Sequence, residues 1–240
     1  MEFPSTRWTQ LAQATLNGDS AAGEALAVFC RDYRRPVMRF LRWRGLPEDC
    51  VEDMTQDFLL HLLKHSALKR ADRARGRFRC YLCAALVRFM SNDARQNGAL
   101  KRGGGVAQFS LDASGDFGEE LPEPSAGEAL FLDREWALNV MERSIEDIGC
   151  EWIRSGKTGR FTALRPFLPG AMLPADYPEA ARLTGMSDAA LRVEVSRLHK
   201  RFREIVRSHV AATVPSPFDV DDELNHLHRV LTASVSQAPV

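Results

Sequence analysis

A chain of 240 residues, 45% apolar and 27% charged, has room for one large or two small domains, each burying its own core. Composition argues against a disulfide scaffold or a membrane-spanning chain: five cysteines, an odd count, fit reduced thiols, no apolar run reaches the length of a span, and no basic start with an apolar stretch marks an export signal, so the expected location is the cytoplasm. The net charge of zero hides a segregation. Residues 31–102 carry 17 Lys and Arg against 8 Asp and Glu, residues 103–151 carry 2 against 12, and residues 152–210 carry 11 against 5. Two basic blocks joined by an acidic one are the pattern of two nucleic-acid surfaces with a linker kept off the polyanion.

In chain order, residues 7–16 predict a helix closed by Asn17-Gly18-Asp19, with Ser20 able to cap the next. Residues 25–33 and 36–43 predict two more, with Leu26, Phe29, Val37, Phe40 and Leu41 at helical spacing. Arg44-Gly45-Leu46-Pro47 then opens the stretch 47–63, PEDCVEDMTQDFLLHLL. Proline suits a first turn, and Glu48 and Asp49 complement the helix dipole there. Val51, Met54, Phe58 and Leu62 form its core stripe, while Asp53, Gln56, Asp57 and Leu60 share another face: acidic, amide-bearing, with one apolar contact.

Residues 76–102 place Phe78, Leu82, Ala85, Leu86 and Phe89 on a core stripe and Arg77, Tyr81, Ala84, Arg88, Asn92 and Arg95 on a second one. Cations for phosphate, a ring for stacking and an amide for base edges suit single-stranded nucleic acid. The glycines at 103–105 break that helix, and residues 112–128 have the Gly, Pro, Ser and carboxylate content of a tether. A second helical block starts near Phe131, with Leu138, Met141, Ile145 and Ile148 in phase; residues 155–159 interrupt it and 161–168 resume. Residues 177–206 read as a short helix, a glycine turn and a longer basic helix, the order of a helix-turn-helix.

On that longer helix Leu191, Val195, Leu198, Phe202 and Ile205 face the core. Arg192, Val193 and Ser196 are therefore candidates for the major groove, and Arg197, Lys200, Arg201 and Arg203 for phosphates. Glu194 either reads a cytosine amino group or pairs with Arg197 or Arg201, the pairing being preferred. Pro215 and Pro217 end the block, and residues 220–233 predict a tail helix with Leu224, Leu227 and Leu231 in phase. Such a helix needs something to pack on, its own chain or a partner.

Other signals are weaker. Gly156-Lys157-Thr158 resembles a phosphate-binding loop, but Glu151 stands where that loop needs glycine and no strand precedes it. Cys80 with Cys83 and His61 with His65 have spacings open to metal, yet both pairs fall within predicted helices and read as core thiols and surface imidazoles. No nucleophile–base or paired-carboxylate arrangement stands out. The expectation is a non-enzyme without a cofactor or metal.

Three stretches in register, 47–63, 78–95 and 177–206, resemble the bacterial sigma-70 family of RNA polymerase initiation factors, in its extracytoplasmic-function (ECF) subfamily. Glu52-Asp53-Met54-Thr55-Gln56-Asp57-Phe58 is similar to the acidic signature of that family's polymerase-docking helix. The resemblance covers roughly residues 20–210, and the opening Phe3-Pro4-Ser5-Thr6-Arg7-Trp8 resembles a preface found in one branch of the group. It implies an all-α protein of two helical domains joined by an acidic linker: 1–105 for polymerase docking and the −10 element, 106–128 as linker, 129–214 as the −35-binding helix-turn-helix domain, and 215–240 as a tail. In that frame Asp53, Gln56, Asp57 and Leu60 bind core RNA polymerase. Arg77, Tyr81, Arg88, Asn92 and Arg95 hold the displaced −10 strand, and Arg192, Val193, Ser196, Arg197, Lys200 and Arg201 contact the −35 duplex. The linker is then expected to run through the polymerase toward its active centre and out along the RNA path. Partners are core polymerase, promoter DNA and, as a further candidate, an anti-sigma factor or other regulatory protein, with no membrane insertion. The stretch 150–175 is longer than the family's usual connection. The alternative is a stand-alone helix-turn-helix regulator that does not bind polymerase.

Overall fold

The computed structural model describes residues 21–64, 77–100, 121–170, 175–214 and 216–233; within them, the side chains of 21–26, 63–64 and 94–100 are not described. The expectations for residues 3–20 and for most of the 106–128 stretch lie outside these ranges. The described residues are helical, without strands: α1 (Ala21–Trp43), α2 (Glu48–Lys64), α3 (Phe78–Leu100), α4 (Ala126–Arg154), α5 (Thr158–Leu164), α6 (Tyr177–Thr184), α7 (Asp188–Ala211) and α8 (Val220–Thr232). Single 3₁₀ turns at Arg165–Phe167 and Pro217–Asp219 precede α6 and α8. The described residues are compatible with the expected all-α class. No described helix is long and apolar enough to cross a membrane.

Two compact units divide the chain: 1–136 with 227–240, and 137–226. The divisions fall inside helices, in α4 after Trp136 and in α8 after His226.

In the first unit α1 runs unbroken through Pro36, where two shorter helices were expected. Proline removes one intrahelical hydrogen bond, but Tyr33, Pro36, Val37, Phe40 and Leu41 are all buried, and packing of that face carries the helix past the defect. Val51, Phe58, Leu59 and Leu62 of α2 and Leu82 to Leu86 of α3 complete the buried set. Aromatic rings knit it: Phe29 and Tyr33 meet Phe78 edge-on at 6.1 and 5.3 Å, and Phe58 meets Phe89 at 5.5 Å.

The first three turns of α4 belong to this unit. Phe131 stacks on Trp43 at 4.5 Å and 15°. Glu135 accepts from Arg39 at 3.0 Å, Glu128 pairs with Arg44, and Asp133 accepts from Arg79 Nε at 2.6 Å. The Arg79 guanidinium also lies 4.1 Å from the centre of the Trp136 ring. Both members of the Arg79–Asp133 pair are buried.

In the second unit Ile148, Leu164, Leu168, Ala180, Leu191, Val195, Leu198, Phe202 and Ile205 form one core. Gly149 permits a close approach: a Cβ there would meet Phe161 at 3.0 Å. The α6–α7 corner carries its own punctuation. Asp176 caps α6 by accepting from the Glu179 amide, Gly185 turns the chain at φ +68°, and Ser187 caps α7 by accepting from the Ala190 amide. The expected tail helix forms: Val220 and Glu223 are buried in its second-unit part and Leu227 and Val230 in the part assigned to the first unit, while Leu224 and Leu231 of the expected stripe are half-buried.

Candidate functional site

On the first unit, α2 and α3 leave between them a groove of about 470 Å³ lined by Leu46, Cys50, Asp53, Met54, Gln56, Asp57, Phe89 and Asp93. The reason is in the α2 sequence. Val51, Phe58 and Leu62 are fully buried, and Thr55 turns inward, its hydroxyl donating to the Val51 carbonyl at 2.6 Å. That rotation leaves Asp53 and Gln56 exposed and Asp57 at the edge. Met54, expected in the core stripe, is half-buried and lines the groove instead. Three carboxylates (Asp53, Asp57, Asp93) therefore rim an apolar floor of Leu46, Met54 and Phe89. Leu60 lies on the same side, 45% exposed, beyond the residues that line it.

The groove's electrostatics are arranged rather than merely solvated. Burial and the neighbouring Asp53 charge push the Asp57 carboxyl above its ordinary range. Glu52 is drawn below its range by hydrogen bonds from Arg34 and Gln56. Gln56 donates to Glu52 at 3.1 Å, so its amide is held in place rather than swinging freely. Arg42 grips Glu48 at 2.5 and 2.7 Å, steadying the turn into α2.

Along α3 the offsets of four, seven and four residues from Arg77 to Tyr81, Arg88 and Asn92 set these side chains on one face. Arg77 is exposed; Tyr81, Arg88 and Asn92 are half-exposed. The side chain of Arg95 lies outside the described residues. Arg79, in the same basic stretch, points the other way into the unit, an outcome the charge pattern does not announce. Cys80 is exposed and Cys83 buried, and burial pushes the Cys83 thiol up to about 12. Among the described residues no three His, Cys, Asp or Glu side chains cluster as a metal site.

On the second unit Arg192, Val193, Ser196, Arg197, Lys200 and Arg201 are all exposed on α7, with Val193 at 51%. Their surroundings differ. Glu194 pairs with Arg197 at 3.5 Å and with Arg160 of α5 at 3.9 Å. Arg201 instead holds Glu151 of α4 through two hydrogen bonds, 2.5 and 3.0 Å, and Glu204 at 3.3 Å. Those carboxylates raise its pKa and compete with any phosphate. Arg192 donates through Nε to Asp188 at 2.9 Å and covers the Tyr177 ring at 4.7 Å.

The described residues are thus helical, with two capped helices joined by a glycine turn in one unit and an acid-rimmed groove beside a basic stripe in the other. Comparison with family models, curated proteins and solved structures returned no match.

Proposed function

We propose that this protein is a transcription initiation factor of the sigma-70 type, of the ECF kind, that binds core RNA polymerase, recognises −10 and −35 promoter elements and promotes DNA melting. The observation that carries the reading is the acid-rimmed groove of α2 and α3. Its three carboxylates, apolar floor and fixed Gln56 amide suit a basic, amphipathic helical segment of a protein partner. In this reading Asp53, Gln56, Asp57 and Leu60 meet that segment, and Asp93 joins them from α3. On the α3 face next to the groove, Arg77, Tyr81, Arg88, Asn92 and Arg95 hold the displaced strand, where stacking on Tyr81 contributes ~1–3 kcal/mol per base. In the second unit the α6–α7 corner docks on upstream duplex. Strand capture offsets the cost of unpairing, so neither ATP, a cofactor nor a catalytic residue takes part. The cytoplasm is the compartment where such a factor meets both partners, and a regulatory protein competing for the groove is the simplest means of control.

The test is reconstitution. Charge reversal at Asp53 and Asp57 (D53K/D57K) should weaken binding to core polymerase roughly tenfold or more, because juxtaposed like charges cost several kcal/mol. Thermal stability should be nearly unchanged. Wild-type protein with core polymerase should open a bubble seen as permanganate-reactive thymines, and Tyr81→Ala or Asn92→Ala should impair opening more than closed-complex binding. Tight, sequence-specific duplex binding by the protein alone, with no polymerase-dependent opening at any site, would establish a stand-alone helix-turn-helix regulator instead.

A further inference from the structure

Arg192 is held unlike the other cations of α7. Its Nε donates to Asp188 Oδ2 at 2.9 Å, one turn earlier on the same helix. Its guanidinium lies over the Tyr177 ring at 4.7 Å. Tyr177 is itself fixed, packing edge-on against Phe167 at 4.6 Å and 64°. The Phe167 carbonyl in turn accepts from His199 Nε2 at 2.6 Å, back on α7. The ring on which Arg192 rests is thereby tied at both ends to the helix that carries it.

Core stability is not the use of this arrangement. The Arg192 and Asp188 side chains are 61% and 63% exposed, and an exposed i,i+4 pair contributes only about 0.3–0.5 kcal/mol. What the arrangement does is remove rotamers. With Nε occupied and one face against a ring, the guanidinium keeps Nη1 and Nη2, which make no hydrogen bond among the described residues. Two parallel N–H donors in a fixed plane match the O6 and N7 acceptors of guanine in the major groove. Part of the freedom given up on binding is thereby already lost in the free protein.

We propose that Asp188 and Tyr177 are positioning residues that act through Arg192, the major-groove candidate, and set its guanidinium for one guanine in the duplex. This rests on the reading of α6 and α7 as a major-groove helix-turn-helix. The free Asp188 oxygen adds a second element: it accepts from a cytosine amino group beside the guanine and repels a misplaced phosphate. Arg201, tethered to Glu151, and Arg197, beside Glu194, have carboxylates in place of such a platform and supply charge without base identity.

The experiment selects duplexes from a pool randomised over the upstream element, using the full chain with and without bacterial core RNA polymerase. Wild type should enrich a guanine at one fixed position by about 5- to 150-fold over other bases. Arg192→Lys keeps the charge at an exposed position and should lose that preference while keeping enrichment elsewhere. Asp188→Asn and Tyr177→Leu should blunt the same position without changing the salt dependence of non-specific binding, which a merely structural role would not single out. If Arg192→Lys keeps the wild-type preference at every position, the assignment of Arg192 is overturned. If only Asp188→Asn and Tyr177→Leu behave as wild type, their positioning role is overturned. If wild type enriches no sequence in either arm, the helix-turn-helix reading itself falls, and the inference with it.

Discussion

Arg79 offers the sharpest test of how the first unit is held together. It is one of the arginines in a stretch whose charge points to nucleic acid, yet its side chain is only 5% exposed and bonds to Asp133, which is 10% exposed, at 2.6 Å. Replacing Arg79 by Met removes the guanidinium and takes this ion pair away from the buried Asp133 charge. Breaking a buried pair from one side costs about 3–5 kcal/mol, which includes the ~0.5–2 kcal/mol of the contact with Trp136. In urea unfolding followed by far-UV circular dichroism, with an m-value of about 2 kcal/mol per M, the midpoint of the unit should fall by roughly 1.5–2.5 M. The double variant R79M/D133L removes both charges and should regain most of that loss, because apolar replacement of a whole buried pair is often nearly neutral. A loss under about 1 kcal/mol for R79M, or a double variant less stable than either single one, would refute the argument that the pair is a buried, mutually dependent lock. DNA binding per folded molecule should stay at the wild-type level throughout.

Asp57→Asn should stabilise the protein at neutral pH. The native carboxyl is held above its ordinary range, so its titration favours the folded chain at low pH, and that contribution is lost as pH rises through the raised value. The difference between variant and wild type in thermal melts should therefore shrink as the pH falls through the carboxylate range. Deleting residues 215–240 removes the buried side chains of Val220, Leu227 and Val230, each contributing roughly 1.5–3 kcal/mol, and should lower the melting temperature measurably; unchanged melting would show that α8 does not pack on its own chain. Glu151→Ala releases Arg201 from its strongest partner and should raise non-specific duplex affinity with a salt slope steeper by about 0.9, as measured by fluorescence anisotropy across a salt series.

Turns were legible because each rests on a local rule. The glycine turn between α6 and α7 is such a case, with Gly185 in the left-handed region at φ +68°, whereas the Asp176 and Ser187 caps beside it went unread. The α2 face bearing Asp53, Gln56, Asp57 and Leu60 was legible for the same reason, as helical period alone sets which side chains share a side. The misses have a common cause in tertiary choice. Phe131 shares a period with Met141, Ile145 and Ile148, yet it stacks on Trp43 in the first unit while the other three belong with the second. Periodicity identifies the apolar side of α4 but not the core that each turn joins. Pro36 read as a break because its local cost is visible and the packing that offsets it is not. Arg79 was assigned to neither stripe, because nothing in a basic stretch marks a cation whose partner lies 54 residues away.

The charge blocks need the same correction, and it bears on function. Glu128, Asp133 and Glu135 belong to the acidic block by sequence, but in the first unit they are ion-paired with Arg44, Arg79 and Arg39. Acidic residues at that end of the block therefore act as a neutralising face and not as tether. In the second unit Glu151 and Glu204 occupy Arg201, and Glu194 faces Arg197 and Arg160. Lys200 and Arg203 make no ion pair among the described residues, so they are the cations of α7 most open to phosphate. Each unit thus offers a smaller electrostatic surface than its composition implies, so in the proposed function duplex affinity would rest on few phosphate contacts. A protein so built gains little from gripping DNA by charge alone. In the proposed function, selectivity comes from placed groups such as Arg192, and promoter occupancy from core polymerase seated on the acid-rimmed groove.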